Sequence, residues 1–368
     1  MIYKIHKSTG IELSALGFGG MRFGNPDDPE KSGALVKAAY DAGINYFDTA
    51  IGYGKSEELF GVALKEMLKT RAEKPFYVSS KTFAGTPDDL RRDIDTSLTR
   101  MGLDYIDFYH FWCLMSPEAY ESRKPILKEF EKLKDEGLIK HLCVSTHMNG
   151  NDIGNMLNDY PFESILLGYS PMNFNYREVG LQAAADRNMG VVVMNPLGGG
   201  IIPQHPERFS FLKTEESETV VEAALRFLIN DDRITVTLVG FSNEDQLKEA
   251  ISAVEGYKPI EKKRIDEMRK SMTESFDHMC TGCQYCDHCP EGLPVPKLMD
   301  SYNQYMLTNN KQEIVNRMNW HWALNNKDKS FFDQCTQCGS CEAACTQHLP
   351  IIARIKEMGE AVDELQKK

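Results

Sequence analysis

The sequence predicts an α/β protein: a parallel (β/α)8 barrel over residues 1–259, followed by a small α-helical module over residues 260–368. Three observations predict it. Eight short β-branched or aromatic runs alternate with longer amphipathic stretches up to residue 254. A charged stretch of helical character comes next, at 260–279. Beyond it, eight of the ten cysteines crowd between Cys280 and Cys345. A chain of 368 residues has room for both units, since single cores stop growing near about 250–300 residues.

The runs, in order, are SALGFG (14–19), INYFDTA (44–50), FYVSSKT (76–82), IDFYHFW (106–112), IKHLCVST (139–146), SILLGYS (164–170), VVVMNPL (191–197) and VTLVGF (236–241). Each is short and rich in the residues that favour buried strands. Between them lie segments such as PILKEFEKLKDEGLI, with apolar residues at helical spacing and Gly137 as a stop. Alternation of strand and helix calls for parallel neighbours, and eight such units close a barrel. An open doubly wound sheet is the alternative, but no GxGxxG comes after the first run.

Barrel chemistry belongs at the C-terminal strand ends. That rule selects Asp48 to Gly54, Lys81, His110 to Trp112, Ser145 to His147, Asn195 to Gly200, and Gly240 to Asn243. Residues 198–218, with Gly and Pro, are expected to form a flap.

The cysteine module repeats itself. Cys280-x2-Cys283-x2-Cys286-x2-Cys289-Pro290 and Cys335-x2-Cys338-x2-Cys341-x3-Cys345 each run on to a Leu-Pro pair. Three thiolates at two-residue gaps can wrap three corners of an iron–sulfur cubane, and the fourth cysteine commonly serves the other cluster. Two 4Fe–4S clusters are therefore expected, with Cys289 and Cys345 as candidate crossing ligands. Zinc is the alternative occupant, although zinc sites more often combine separated C-x2-C pairs. The first repeat has one residue fewer before its fourth cysteine, and the second has Thr346 where proline is usual, so either repeat leaves open which cluster its fourth cysteine serves. Between the repeats, Trp320, Trp322, Phe331 and Phe332 are expected to pack around the centres. Cys113 and Cys143 lack such spacing and read as buried structural thiols.

Forty-two Lys and Arg against 54 Asp and Glu give a formal charge of −12. An acidic chain of this kind is not expected to bind nucleic acid or an anionic membrane. No apolar run approaches the roughly 18 residues of a membrane span, and MIYKIHKSTG lacks a signal-peptide apolar core. A cytoplasmic location is expected.

Within the barrel, Asp48 ends the second run, Tyr53 sits just beyond it on a glycine-flanked turn, and Lys81 ends the third. A cation beside a phenol favours its charged form, and an aspartate beside that lysine would hold it in place. Such a relay is a general acid for a carbonyl oxygen as hydride reaches carbon.

With LGFGGMRFG (16–24), the FDTA…YG block, SSKT, IDFYHF, the VST turn, MNPLGGG and both cysteine repeats, the chain resembles the aldo/keto reductase family. It is most similar to the subgroup carrying a C-terminal ferredoxin-like domain. The resemblance covers essentially the whole chain and implies reduction of aldehydes or ketones with NADPH or NADH. Asp48, Tyr53 and Lys81 match three of the four catalytic positions. Ser145, in the turn with Thr146, would contact the nicotinamide carboxamide. Pro196, Leu197, Gly198 and Gly200, with Gly240, Ser242 and Asn243, would border the pyrophosphate and adenosine.

Three positions depart from that pattern. The family's histidine position holds Trp112, leaving His110 two residues earlier on the same face. His110 either substitutes through a longer reach or a water, or is a buried core histidine. Trp112 offers an aromatic wall for a substrate. The SILLGYSPMN tip lacks the usual glutamine, and Gln246 stands near where many members place an arginine for the 2′-phosphate.

The expected function is thus an NAD(P)H-dependent oxidoreductase for a small carbonyl substrate. Its clusters would be structural, redox-sensing, or in exchange with a redox protein partner. The alternative is an electron-transfer or docking protein whose barrel has lost efficient hydride transfer.

Overall fold

The computed structural model describes residues 1–272 and 278–367. Its strands are β1 (Tyr3–Ile5), β2 (Glu12–Ser14), β3 (Leu16–Gly19), β4 (Tyr46–Asp48), β5 (Tyr77–Thr82), β6 (Ile106–Leu114), β7 (Ile139–Thr146), β8 (Ser164–Gly168), β9 (Gly190–Met194) and β10 (Val236–Val239). β1 and β2 form an antiparallel hairpin. The other eight are parallel and close into one barrel in the order β10-β3-β4-β5-β6-β7-β8-β9, with β10 pairing both β9 and β3. Each of the eight runs contributes one barrel strand. The hairpin is additional, and its three-residue strands are too short to leave an alternation signal.

Local chemistry sets the helix ends. Thr86 accepts from Asp89 N at the start of helix Pro87–Met101, Pro87 supplies a preset φ, and Gly102 closes it in the left-handed region at φ +66°. Thr219 and Glu222 form a reciprocal capping box on helix Val220–Ile229.

The barrel interior is filled by Tyr46, Phe108, Cys143, Leu166, Val192, Val236 and Leu238, with Leu13 from the hairpin. His6 plugs the same end, so close to Gly190 that a Cβ there would meet its Nε2 at 1.7 Å. Side chains two residues apart share a face. Asp48 therefore succeeds Tyr46 toward the C-terminal mouth, as His110 succeeds Phe108 and Ser145 succeeds Cys143. Register pairs Asp48 with Ser79 and Lys81 with His110.

The chain divides into two compact units, Met1–Thr273 and Glu274–Lys368. The division falls later than the expected 259/260, because helix Lys262–Ser271 packs with the barrel unit. Met268 is buried, and Arg264 donates to the carbonyls of Phe211 and Lys213 at 2.7 and 2.8 Å. Residues 273–277 of the expected connector lie outside the described residues. Residues 198–218 are no open flap: short helical turns form, and Ile202 and Phe209 are buried.

In the second unit, helices Val295–Thr308 and Ile351–Gln366 pack through Leu298, Met299, Ile355 and Met358. The sequence repeat is also a backbone repeat. Gly282 and Gln337, then Gln284 and Gly339, then Gly292 and His348 take positive φ at equivalent places. Pro294 and Pro350 start the two helices with φ, ψ of −77°, 68° and −76°, 70°. Of the intervening aromatics, Phe332 is buried and Trp322 Nε1 donates to Asp300. Trp320 instead is 88% exposed.

Candidate functional site

The C-terminal mouth of the barrel brings Asp48, Lys81 and Tyr53 together. Lys81 Nζ donates to Asp48 Oδ2 and to the Thr49 carbonyl, both at 2.6 Å. Ser79, not anticipated from the sequence, donates to Asp48 Oδ1 at 2.7 Å. Lys81 Nζ lies 4.9 Å from the Tyr53 ring centroid. Burial raises the Asp48 carboxyl and lowers the Lys81 ammonium, each opposed by the ion pair with the other.

The turn carrying Tyr53 is pinned from behind. Thr49 and Ser56 hydroxyls are 2.7 Å apart, and Ile51 N donates to the Lys81 carbonyl at 3.3 Å. Glu57 is buried, accepting from Ser80 Oγ at 2.8 Å and from Arg100 at 3.3 Å. No local spacing joins Glu57 to Ser80 or Arg100, so the sequence alone does not announce these supports. The period-2 placement of Ser79 before Lys81 was the one available signal.

Trp112 lines the mouth beside Tyr53. Their rings meet edge-on at 5.4 Å, and Phe83 stacks on Trp112 at 3.8 Å. Gly52 is required here, since a Cβ would lie 2.7 Å from Phe83 and 3.2 Å from Trp112. His110 is fully buried, and neither ring nitrogen makes a well-formed hydrogen bond. Its pKa is lowered to about 3, first by burial and then by the Lys81 charge, with a weaker opposing interaction from the Val144 backbone. The ring is therefore neutral near pH 7. Cys143 is buried as expected, while Cys113 on the rim is only partly so.

The expected nucleotide residues divide into open and engaged groups. Ser145 Oγ is buried with no hydrogen-bond partner, an unmet polar demand that a carboxamide would satisfy. Thr146 Oγ1 is engaged, donating to the Leu114 carbonyl and accepting from Met148 N. After β9, Pro196 and Leu197 lead into Gly198, Gly199 and Gly200, all at positive φ. A Cβ on Gly198 would meet Met172 Sδ at 2.1 Å. Past β10, Gly240 lies against Arg22, whose carbonyl accepts from Ser242 Oγ at 3.3 Å. Asn243 caps helix Glu244–Ser252 by accepting from Gln246 N, and Gln246 Oε1 accepts from Ser242 N at 2.8 Å. Asn243 and Gln246 thus shape the loop. Arg177, which no motif flagged, is buried and donates to the carbonyls of His147, Met148 and Gly168. It ties the ends of β7 and β8 together at the tip that lacks the glutamine. The unmet Ser145 hydroxyl and the glycine backbone beyond β9 fit a nicotinamide dinucleotide.

The second unit sorts its cysteines into two quartets. Cys280, Cys283, Cys286 and Cys345 line one pocket. Cys289, Cys335, Cys338 and Cys341 line another. Each quartet takes three thiols from one repeat and the fourth from the other. Among the described residues, no three His, Cys, Asp or Glu side chains converge as ligands of a single ion would. Four thiols around each pocket supply one ligand for each iron corner of a 4Fe–4S cluster. Backbone N–H groups already face two of the sulfurs, Gly282 N toward Cys280 Sγ at 3.3 Å and Leu349 N toward Cys345 Sγ at 3.4 Å.

Comparison with known proteins matches the barrel and the cysteine-bearing segment separately. The aldo/keto reductase family matches residues 15–272, and a 4Fe-4S dicluster domain matches residues 279–349. The L-galactose dehydrogenase of Arabidopsis thaliana is 26% identical over 277 residues, covering 67% of this chain and 86% of its own. The L-glyceraldehyde 3-phosphate reductase of Escherichia coli K12 is 24% identical over 306 residues, covering 69% and 88%. In fold, the holo form of an aldo-keto reductase from Bacillus halodurans superposes with a TM-score of 0.64 at 24% identity, covering 74% of this chain and 96% of that one. Among the described residues no helix is long and apolar enough to cross a membrane. The chain belongs to the aldo/keto reductase family and is an oxidoreductase whose (β/α)8 barrel is joined to a helical, ferredoxin-like 4Fe–4S domain.

Proposed function

We propose that this chain reduces an aldehyde or ketone with NADPH or NADH, using Tyr53 as the proton donor. The observation that carries the reading is the buried Lys81 ammonium, held by Asp48 and Thr49, 4.9 Å from the Tyr53 ring centroid. Reduced nicotinamide, when bound, supplies the hydride to the carbonyl carbon. Tyr53 gives its hydroxyl proton to the carbonyl oxygen as negative charge develops there. The Lys81 cation stabilises the phenolate left behind, which takes its proton back from water. Asp48, held in turn by Ser79, keeps Lys81 aimed at the phenol. Trp112 and Phe83 supply an apolar wall beside the reacting carbonyl, with the segments at 22–31, 113–123 and 199–217 completing the pocket.

Ser145 would hold the carboxamide. Pro196, Leu197, Gly198, Gly200, Gly240 and Ser242 would border the phosphates, with Asn243 and Gln246 setting the loop's shape. His110, neutral near pH 7, orients and packs; it carries no proton in this scheme. The eight cysteines would hold two 4Fe–4S clusters. A one-electron protein partner of the acidic chain would present a basic face.

Nicotinamide fluorescence titration and a carbonyl panel test the reading. The panel includes L-glyceraldehyde 3-phosphate, and L-galactose is assayed in the oxidative direction, both prompted by the relatives' names. Binding of at least one nucleotide is expected, with Tyr53→Phe abolishing turnover. Wild-type-like turnover by Tyr53→Phe would refute the acid. Failure to bind either nucleotide would favour the electron-transfer reading, which the tryptophan at the family's histidine position motivates.

A further inference from the structure

The backbone repeat aligns the two segments downstream of the fourth cysteines position by position. Counting from Cys289 and Cys345, Leu293 matches Leu349, Pro294 matches Pro350, and the helices start together at Val295 and Ile351. In that register Pro290 matches Thr346, and Leu298 matches Arg354. Two positions without a donor in the first repeat carry a hydroxyl and a guanidinium in the second.

Both polar side chains are buried. Thr346 Oγ1 lies 3.3 Å from Cys283 Sγ and accepts from Gln347 Nε2 at 3.4 Å. A thiolate has no proton to give, so Thr346 is the donor whenever Cys283 is a ligand. Arg354 donates through Nη2 to the His278 carbonyl at 2.6 Å and lies over the Tyr302 ring at 4.8 Å. Its Nη1 has no hydrogen-bond partner. The groups whose charge it feels are Tyr302, Cys280, Cys345 and Glu357, and the Glu357 carboxylate is taken by the Tyr302 hydroxyl. Among the described residues no carboxylate pairs with Arg354. Burying a cation is costly, and an anionic occupant of the neighbouring quartet would add to the favourable interactions that Glu357 and the thiols supply.

We propose that Arg354 and Thr346 stabilise the reduced state of the cluster held by Cys280, Cys283, Cys286 and Cys345, and so raise its reduction potential. The inference rests on the reading that this quartet holds a 4Fe–4S cluster. On one-electron reduction by dithionite, or by a low-potential one-electron donor protein, a four-thiolate cluster goes from about −2 to −3 with no ligand bond made or broken. The added negative charge strengthens both its attraction to the fixed guanidinium and the hydroxyl hydrogen bond to sulfur. In the other quartet, the Ser340 hydroxyl lies 3.5 Å from Cys338. That sulfur is exposed, so water competes with the contact.

The test is a dithionite titration of the full-length, iron-loaded protein monitored by electron paramagnetic resonance, with iron and sulfide counted in every sample. Arg354→Leu, which installs the residue of the first repeat, should lower one midpoint by about 59 mV, a tenfold change in a one-electron equilibrium, and leave the other in place. Arg354→Lys should stay near wild type. Thr346→Val should lower the same midpoint, and Thr346→Ser should restore it. Full iron content with no midpoint moved, or with both moved equally, would overturn the proposal. A wild-type protein that takes up zinc and no iron would instead overturn the cluster reading beneath it.

Discussion

Lys81 Nζ lies 2.6 Å from Asp48 Oδ2, with the ammonium wholly buried and the carboxylate nearly so. Removing one partner of such a pair strands the other charge, whereas removing both need not. Asp48→Asn should therefore destabilise the barrel by about 3–5 kcal/mol. Adding Lys81→Met should recover part of that loss. Both variants should lose at least about 100-fold in turnover, since the proton relay is broken in each. Urea unfolding and steady-state kinetics on the two variants check this; a double variant less stable than Asp48→Asn would show that the pair is not the reason.

The aromatic wall makes a second, steric prediction. Because a Cβ on Gly52 would lie 2.7 Å from Phe83 Cε2, Gly52→Ala should push Phe83 off Trp112. Because Phe83 is half-exposed and can give way, the cost should be about 1 kcal/mol or less, and about a tenfold fall in kcat/KM should accompany it. Phe83→Leu in the same chain should relieve the collision and restore stability. Additive losses in the double variant would place the strain elsewhere.

His110 makes stability depend on pH. Its native pKa of about 3 lies below the ordinary 6.5, so between those values the unfolded chain binds a proton that the native ring does not. Stability from this group is complete above about pH 6.5 and is lost as the pH falls toward 3. From pH 7.5 to 5.5 the loss amounts to about 1.4 kcal/mol. His110→Leu should remove that increment from the pH dependence of unfolding. An unchanged slope would mean the imidazole takes up a proton in the native barrel.

The cysteine partition can be read by counting iron. Cys280→Ser with Cys345→Ser strikes one quartet and should lower iron by about four atoms per chain. Cys341→Ser with Cys345→Ser strikes both and should lower it by about eight. If each fourth cysteine served its own repeat, the two results would be exchanged.

The barrel was legible because its signal is periodic and repeated. Eight β-branched runs alternating with amphipathic helices leave few ways to bury every strand on both faces. The cysteine repeats were legible for a similar reason: ligand spacing on a loop is a local property. The unit boundary was less so, because helix Lys262–Ser271 reads as a polar connector, and its ties to the barrel, through Arg264 to Phe211 and Lys213 and through Arg269 to Glu178 and Tyr169, exist only in the folded chain.

The sequence by itself determined which residue types stand at the strand ends: Asp48, Tyr53 and Lys81 by motif, and Trp112 in place of a histidine. Tertiary structure alone decided what each of them meets. Ser79 reaches Asp48 from the neighbouring strand, and Glu57 is gripped by Ser80 and Arg100 from elements 23 and 43 residues away. His110 is sealed in the barrel, where burial lowers its pKa. Cys345 joined the first quartet and Cys289 the second, a crossing that spacing permitted but could not enforce. The physical reason is common to all of these. Spacing along the chain encodes secondary structure and local ligand loops, whereas burial, ion pairing and cross-strand hydrogen bonds depend on which distant segments closure of the barrel brings within about 3 Å.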